Sequence, residues 1–150
     1  MRKAEREITD AAEIEALLRE ANLVHLGLWD GEQVYVVPLN YGYRDHALYV
    51  HSALEGRKID ILKRHPQVSF TITVRQEIVE GDKGCSWSTR FCSLMGTGEA
   101  IFLEGLEAKT DGLNALMAQF TDKPQEYSDE VIAKTAVIRV AIEELTGKRH

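Results

Sequence analysis

Leu48-Tyr-Val-His-Ser-Ala-Leu-Glu-Gly-Arg-Lys-Ile-Asp60 is the stretch in which an apolar strand passes through a glycine into a basic pair. Ser52-Ala-Leu-Glu55 has the Ser-x-x-Glu form of a capping box, with Ser52 accepting from the amide near Glu55 and starting a helix that runs through Arg64. Pro66 ends it, because the residue before a proline is pushed out of helical conformation. The first turn of such a helix has amides without internal partners and carries the positive end of the macrodipole, so the corner attracts an anion. Arg57 offers a fork of donors to a phosphate, Lys58 adds a mobile point charge, and Gly56 lets a ligand approach the main chain. The same residues also read as the solvated basic face of a helix that includes Lys63 and Arg64.

At 150 residues, with 44% hydrophobic and 28% charged, the chain is expected to form one soluble globular domain over residues 1–150. A net charge of −6 argues against non-specific nucleic-acid binding, so the basic residues that matter act locally. No apolar run approaches the roughly 18 residues of a membrane span, and Met1-Arg-Lys-Ala-Glu-Arg-Glu7 lacks the apolar core of a leader, so a cytoplasmic protein is expected. Cys85 and Cys92 lack Cys-x-x-Cys spacing and read as free thiols. His25, His46 and His65 have no partner at ligand spacing, so no metal site is expected.

Working outward, Asp10-Ala-Ala-Glu13 opens a helix continued by Ile14, Leu17, Leu18 and Ala21. Val24, Leu26 and Leu28 alternate along a strand that Asp30-Gly31 turns back, so strands 23–29 and 33–43 should pair antiparallel. Pro38 cannot donate to a ladder and marks an edge, a bulge or a place where the sheet opens and its backbone groups are free for something else. Ala47–His51 forms a third strand, and Val68, Phe70, Ile72 and Val74 mark a fourth. Residues 75–89 show no period and read as a long functional loop.

From Arg90 to about Phe102 a strand places Cys92, Leu94, Gly96, Gly98 and Ala100 on one face, and its small residues imply close approach of another backbone or a flat ligand. A helix is predicted over Leu106–Phe120, with Leu113, Leu116, Met117 and Phe120 as core. A short helix around Asp129–Lys134 precedes a last, interior strand, Thr135–Glu143. Tyr41 and Tyr43 read as barrel residues rather than acids. Strands joined mostly by hairpins, with helices at the ends, describe an antiparallel barrel of the α+β class.

Val-Val-Pro-Leu-Asn-Tyr-Gly-Tyr (36–43), Leu-Tyr-Val-His-Ser-Ala-Leu-Glu-Gly-Arg-Lys (48–58), Arg-Phe-Cys-Ser-Leu-Met-Gly-Thr-Gly-Glu-Ala (90–100) and Thr-Gly-Lys (146–148) together resemble the flavin-binding split-barrel proteins related to pyridoxamine 5′-phosphate oxidase, most closely the nitroimidazole-resistance (Nim-like) group. The resemblance covers nearly the whole chain. It implies a mainly β, six-stranded antiparallel split barrel with peripheral helices, and a homodimer with FMN between the subunits. Arg57 and Lys58 would bind the FMN phosphate, with Ser52 and Gly56 beside them. Val37, Pro38, Leu39 and Asn40 would lie along the isoalloxazine, largely through main-chain groups, and Ser93 would supply a polar contact. His51 matches a histidine near the flavin. No Arg-x-Arg pair follows the last strand to take a substrate phosphate, so vitamin B6 oxidation is not expected.

The expected function is that of an FMN-dependent oxidoreductase reducing small, flat, electron-poor compounds, with NAD(P)H or a reductase as electron donor. His51 would donate a proton or hydrogen bond; its alternative is a strand-end histidine bonding across the dimer. Trp87 and Arg90 would wall the partner subunit's site, Trp87 reading equally as an apolar interface anchor. The alternative function is a flavin- or haem-binding protein without turnover, serving storage, sensing or electron carriage.

Overall fold

A computed structural model of the protein describes residues 4–150. The first three residues of the N-terminal stretch read above for a leader lie outside them. The elements are β1 (Glu7–Ile8), α1 (Ala11–Glu20), β2 (Leu23–Trp29), β3 (Val34–Asn40), β4 (Gly42–Arg44), β5 (Ala47–Ala53), α2 (Arg57–Arg64), β6 (Gln67–Val79), β7 (Ser88–Phe102), α3 (Leu106–Met117), α4 (Asp129–Ala133) and β8 (Thr135–Arg149). Six of the strands are long; β1 and β4 are short additions.

All pairings are antiparallel, in the order β3-β2-β6-β7-β8-β5-β4, with β1 on β8. β3 and β4 stand at opposite ends of this path, yet only Tyr41 separates them in the chain. The sheet must therefore coil until its edges meet. It does not close, because β4 pairs β5 only along Ala47–Tyr49 and leaves the rest of β5 facing β3 without a ladder. This is a split barrel, α+β and mainly β, as the motifs implied.

Alternation drives the coil. Val24, Leu26 and Leu28 of β2 point inward with Val68, Phe70 and Ile72 of β6 and Ile138 and Val140 of β8. Leu17 and Leu18 of α1 and Ile59, Ile61 and Leu62 of α2 are buried in the same core. Each such side chain contributes roughly 1.5–3 kcal/mol by leaving water. α3 packs outside, Ala115 and Leu116 against Ala47 and Tyr49, and Arg44 ties it down with a fork onto Asp111 at 3.1 and 2.5 Å. Tyr41 and Tyr43 are buried as expected, their hydroxyls donating to Leu18 O (2.8 Å) and Glu15 Oε1 (2.9 Å).

Several expectations change. Ser52 does not cap a helix: strand geometry continues through Ala53 because β5 pairs β8 as far as Ala53–Thr135, and α2 begins only at Arg57. The strand foreseen over 33–43 is two strands, broken where Tyr41 turns the chain from one edge of the barrel to the other. Asp30-Gly31 belongs to a longer connection, residues 30–33. Of the loop foreseen over 75–89, both flanks are strand, since β6 and β7 run on as a two-stranded arm with neither face buried and hence no alternation to read. Of the two alternatives for the small residues of β7, the close approach of another backbone holds: a Cβ on Gly96 would come within 2.4 Å of Glu144 O and one on Gly98 within 2.4 Å of Ala141 O. Phe120 lies past the end of α3 and is 44% exposed, so it is not core.

Candidate flavin site at the split

β3 is an edge strand, paired to β2 with Pro38 opposite His25. Alternate residues of such a strand direct their backbone groups away from the sheet. Val37 and Leu39 turn their side chains toward the core, while Pro38 and Asn40 face outward. The bonds Tyr41 N to Asn22 O and Asp30 N to Gln33 O fix the phase of the β2–β3 ladder, so Val37 and Leu39 turn their backbone groups to Leu26 and Val24, and the groups left at the open edge are those of Val36 and Asn40 and the carbonyl of Pro38. Across the split stand the end of β5, joined to β8 but not to β3, with half-buried Ser52, and the start of α2; exposed His51 lies on the outer face that Ala47 and Tyr49 share.

Gly56 is the residue before α2, at φ 122°, a conformation that favours glycine; nothing lies within 4 Å of where its Cβ would be. Its glycine is needed for the backbone turn, and the space above it is open. No side chain caps α2, so its first amides are left for another acceptor. Arg57 and Lys58 are the first two residues of that helix, as the sequence placed them. Burial of the half-buried Lys58 lowers its pKa, a desolvation that a bound anion would offset.

Arg57 reaches across the split. Its Nη2 is 3.2 Å from Asp30 Oδ2 and its guanidinium lies 4.4 Å over the Tyr35 ring. The basic corner thus sits above a residue three positions before Pro38, roughly 10 Å along the strand. A phosphate at Arg57 and a flat ring beside Pro38 can then belong to one molecule of ribityl-phosphate length. The residues fit an FMN on these grounds.

Ser93 pairs Thr73 and Lys148 on the outer face. Trp87 and Arg90 are not brought to the basic corner. Both are exposed on or beside the arm beyond Ser93, and Arg90 is 3.6 Å from Glu77 on the neighbouring strand. Sequence reasoning does not find Asp30 and Tyr35, because Asp-Gly signals only a turn and Tyr35 only a strand residue. An apolar cavity of about 470 Å³ between α1 and Tyr43, His46 and Leu145 shares no residue with this site.

The pyridoxamine 5′-phosphate oxidase family profile matches residues 10–149. The chain belongs to that family. Among solved structures it is similar to a proposed 5-nitroimidazole antibiotic resistance protein of Bacteroides thetaiotaomicron, at 35% identity over 95% of this chain and 86% of the other, with a TM-score of 0.85. An FAD and haem binding protein of Mycobacterium smegmatis superposes with a TM-score of 0.85 at 19% identity, covering 96% of this chain and 73% of that one. An FAD-binding protein of Mesorhizobium loti does so with a TM-score of 0.70 at 24% identity, covering 97% of each. These last two likenesses show the fold alone. No curated protein matches the chain.

Proposed function

We propose that this family member is an FMN-binding flavoprotein that reduces small, flat, electron-poor compounds of the nitroaromatic or quinone type. One observation carries the reading: Arg57, at the uncapped start of α2, lies over Tyr35 on the same edge strand that Pro38 leaves open. The 35% identity to a proposed nitroimidazole-resistance protein supports the substrate class. When bound, FMN supplies the electron transfer itself, and the protein supplies position and electrostatics.

Arg57, Lys58 and the first amides of α2 hold the phosphate. The Pro38 carbonyl and the main-chain groups of Asn40 meet the polar edge of the ring, Val37 and Leu39 pack beneath it, and His51, at the end of β5, donates a proton or hydrogen bond to the acceptor. Electrons come from NAD(P)H or a reductase. The outer face around the site carries large exposed apolar side chains among polar ones: Val34, Val36, Leu23, Trp29 and Met95 are 66, 56, 43, 46 and 43% exposed, with His25, Asn40 and Thr71 between them. A second copy of the chain covers that face in this reading, placing FMN between subunits and bringing Ser93, Trp87 and Arg90 of one subunit toward the site of the other. No described helix is long and apolar enough to cross a membrane, and a cytoplasmic location is part of the proposal.

A second reading, a flavin or haem carrier without turnover, draws on the neighbours described as FAD and haem binding. Absorption spectra of the purified protein separate the two. The first reading expects flavin bands that NAD(P)H or a reductase bleaches and a nitroimidazole or quinone restores. Flavin bands that no donor bleaches favour the carrier, and a Soret band without flavin moves the assignment to haem.

A further inference from the structure

The β2–β3 connection is more than a turn. Asp30 Oδ1 accepts from the backbone amides of Glu32 (2.9 Å) and Gln33 (2.8 Å), and Asp30 N donates to Gln33 O at 3.2 Å. The carboxylate is thus fixed by its own loop, with only 17% of the side chain exposed. Those amides, and then Arg57, hold its pKa down to about 2, so it is charged at neutral pH.

Its second oxygen faces Arg57 Nη2 at 3.2 Å. A guanidinium has five N–H donors. This contact takes one edge position, and Tyr35 takes one face. Nε, both Nη1 protons and the second Nη2 proton remain for other acceptors. A long arginine side chain, half exposed, would otherwise spread over many rotamers.

We propose that Asp30 and Tyr35 are positioning residues for the cofactor phosphate: from across the split they hold Arg57 in one orientation, with the donors that Asp30 leaves free turned to the phosphate. The proposal rests on the phosphate reading above and adds the other wall of the site. Asp30 acts as a clamp on Arg57, and the orientation it confers outweighs the charge it shares.

The test uses two ligands with the same ring, FMN and riboflavin, which lacks the phosphate. Apoprotein is titrated with each by fluorescence. Asp30→Ala is expected to weaken FMN about three- to tenfold, the range for one long side chain that must be ordered on binding, and to leave riboflavin unchanged. Asp30→Asn, which keeps the acceptor for the Glu32 and Gln33 amides, should do the same if the alanine variant folds poorly. Tyr35→Leu should also weaken FMN selectively, while Tyr35→Phe, which keeps the ring under the guanidinium, restores it. In the Arg57→Ala background Asp30→Ala should have no further effect, because the clamp has nothing to hold.

FMN bound as tightly or more tightly by both Asp30 variants would overturn the proposal, as would equal weakening of FMN and riboflavin. Arg57→Ala keeps the two failures apart. If that variant leaves the ratio of FMN to riboflavin affinity unchanged, the phosphate reading itself falls and the proposal with it. If it lowers the ratio while the Asp30 variants do not, the phosphate reading stands and Asp30 merely ties a hairpin to a helix.

Discussion

Replacing Arg57 with alanine should weaken FMN binding while leaving the fold almost untouched. Hydrogen bonds to charged groups contribute about 1.5–3 kcal/mol, and the loss of one such phosphate contact corresponds to roughly a tenfold to hundredfold rise in Kd. In the protein itself Arg57 gives up one ion pair to Asp30, with its side chain 50% exposed, and a contact with the Tyr35 ring. A pair this exposed contributes about 0–1 kcal/mol to stability. At roughly 2–4 °C per kcal/mol for a domain of this size, the melting temperature should move by only a few degrees. Cofactor affinity and stability therefore separate, and two assays on one preparation read them: fluorescence titration of apoprotein with FMN, and thermal unfolding followed by circular dichroism. Unchanged FMN affinity would refute the reasoning and return Arg57 and Lys58 to the solvated helix face. A melting temperature lower by 10 °C or more, about three times the expected shift, would show that the arginine is structural.

His51→Ala should leave FMN bound and slow turnover; FMN lost on gel filtration would make the histidine structural instead. Gln119 donates to the carbonyls of Leu18 (2.9 Å), Arg19 (3.0 Å) and Ala21 at the end of α1 and accepts from Tyr43 N (3.1 Å). Gln119→Leu would strand the Arg19 and Ala21 carbonyls and Tyr43 N, Leu18 O keeping the Tyr41 hydroxyl, at about 1 kcal/mol apiece, so urea denaturation should show about 1–3 kcal/mol of lost stability; a loss under about 0.5 kcal/mol would contradict this. Acid should also destabilise the fold. The carboxyls of Glu20, Asp30 and Asp111 are held below their usual range, chiefly by Arg75, by the Gln33 amide and by Arg44 respectively. Groups with depressed pKa values stabilise above the unfolded value and lose that contribution as pH falls, for Asp30 between its ordinary 3.8 and about 2. Urea midpoints measured from pH 5 to pH 2 should fall through this window and fall less in Asp30→Asn; parallel curves for the two proteins would count against the assignment.

Much of the barrel could be read from the chain, because alternation on one buried face is a local signal. Val68, Phe70 and Ile72 announce β6, and Pro38 announces an edge, since a missing donor is visible in any context. What could not be read depends on partners far along the chain. The arm of β6 and β7 has no buried face and therefore no period, and Ser52 satisfies a helix-start pattern that pairing with Ala136 on β8 overrides. In the site, the basic pair was legible as two adjacent cations before an amphipathic run. Asp30 and Tyr35 were not, because what makes them part of the corner is the coiling that lays β3 beside α2. Gln119 was silent for the same reason: its partners lie 76 to 101 residues away.

The most direct test is a crystal structure of the protein grown with FMN. The phosphate should lie within hydrogen-bond distance of Arg57 and the first amides of α2, and the ring should run along Val37–Asn40. A flavin lodged elsewhere, with that corner open to water and the edge at Pro38 covered by the protein's own side chains, would contradict the account.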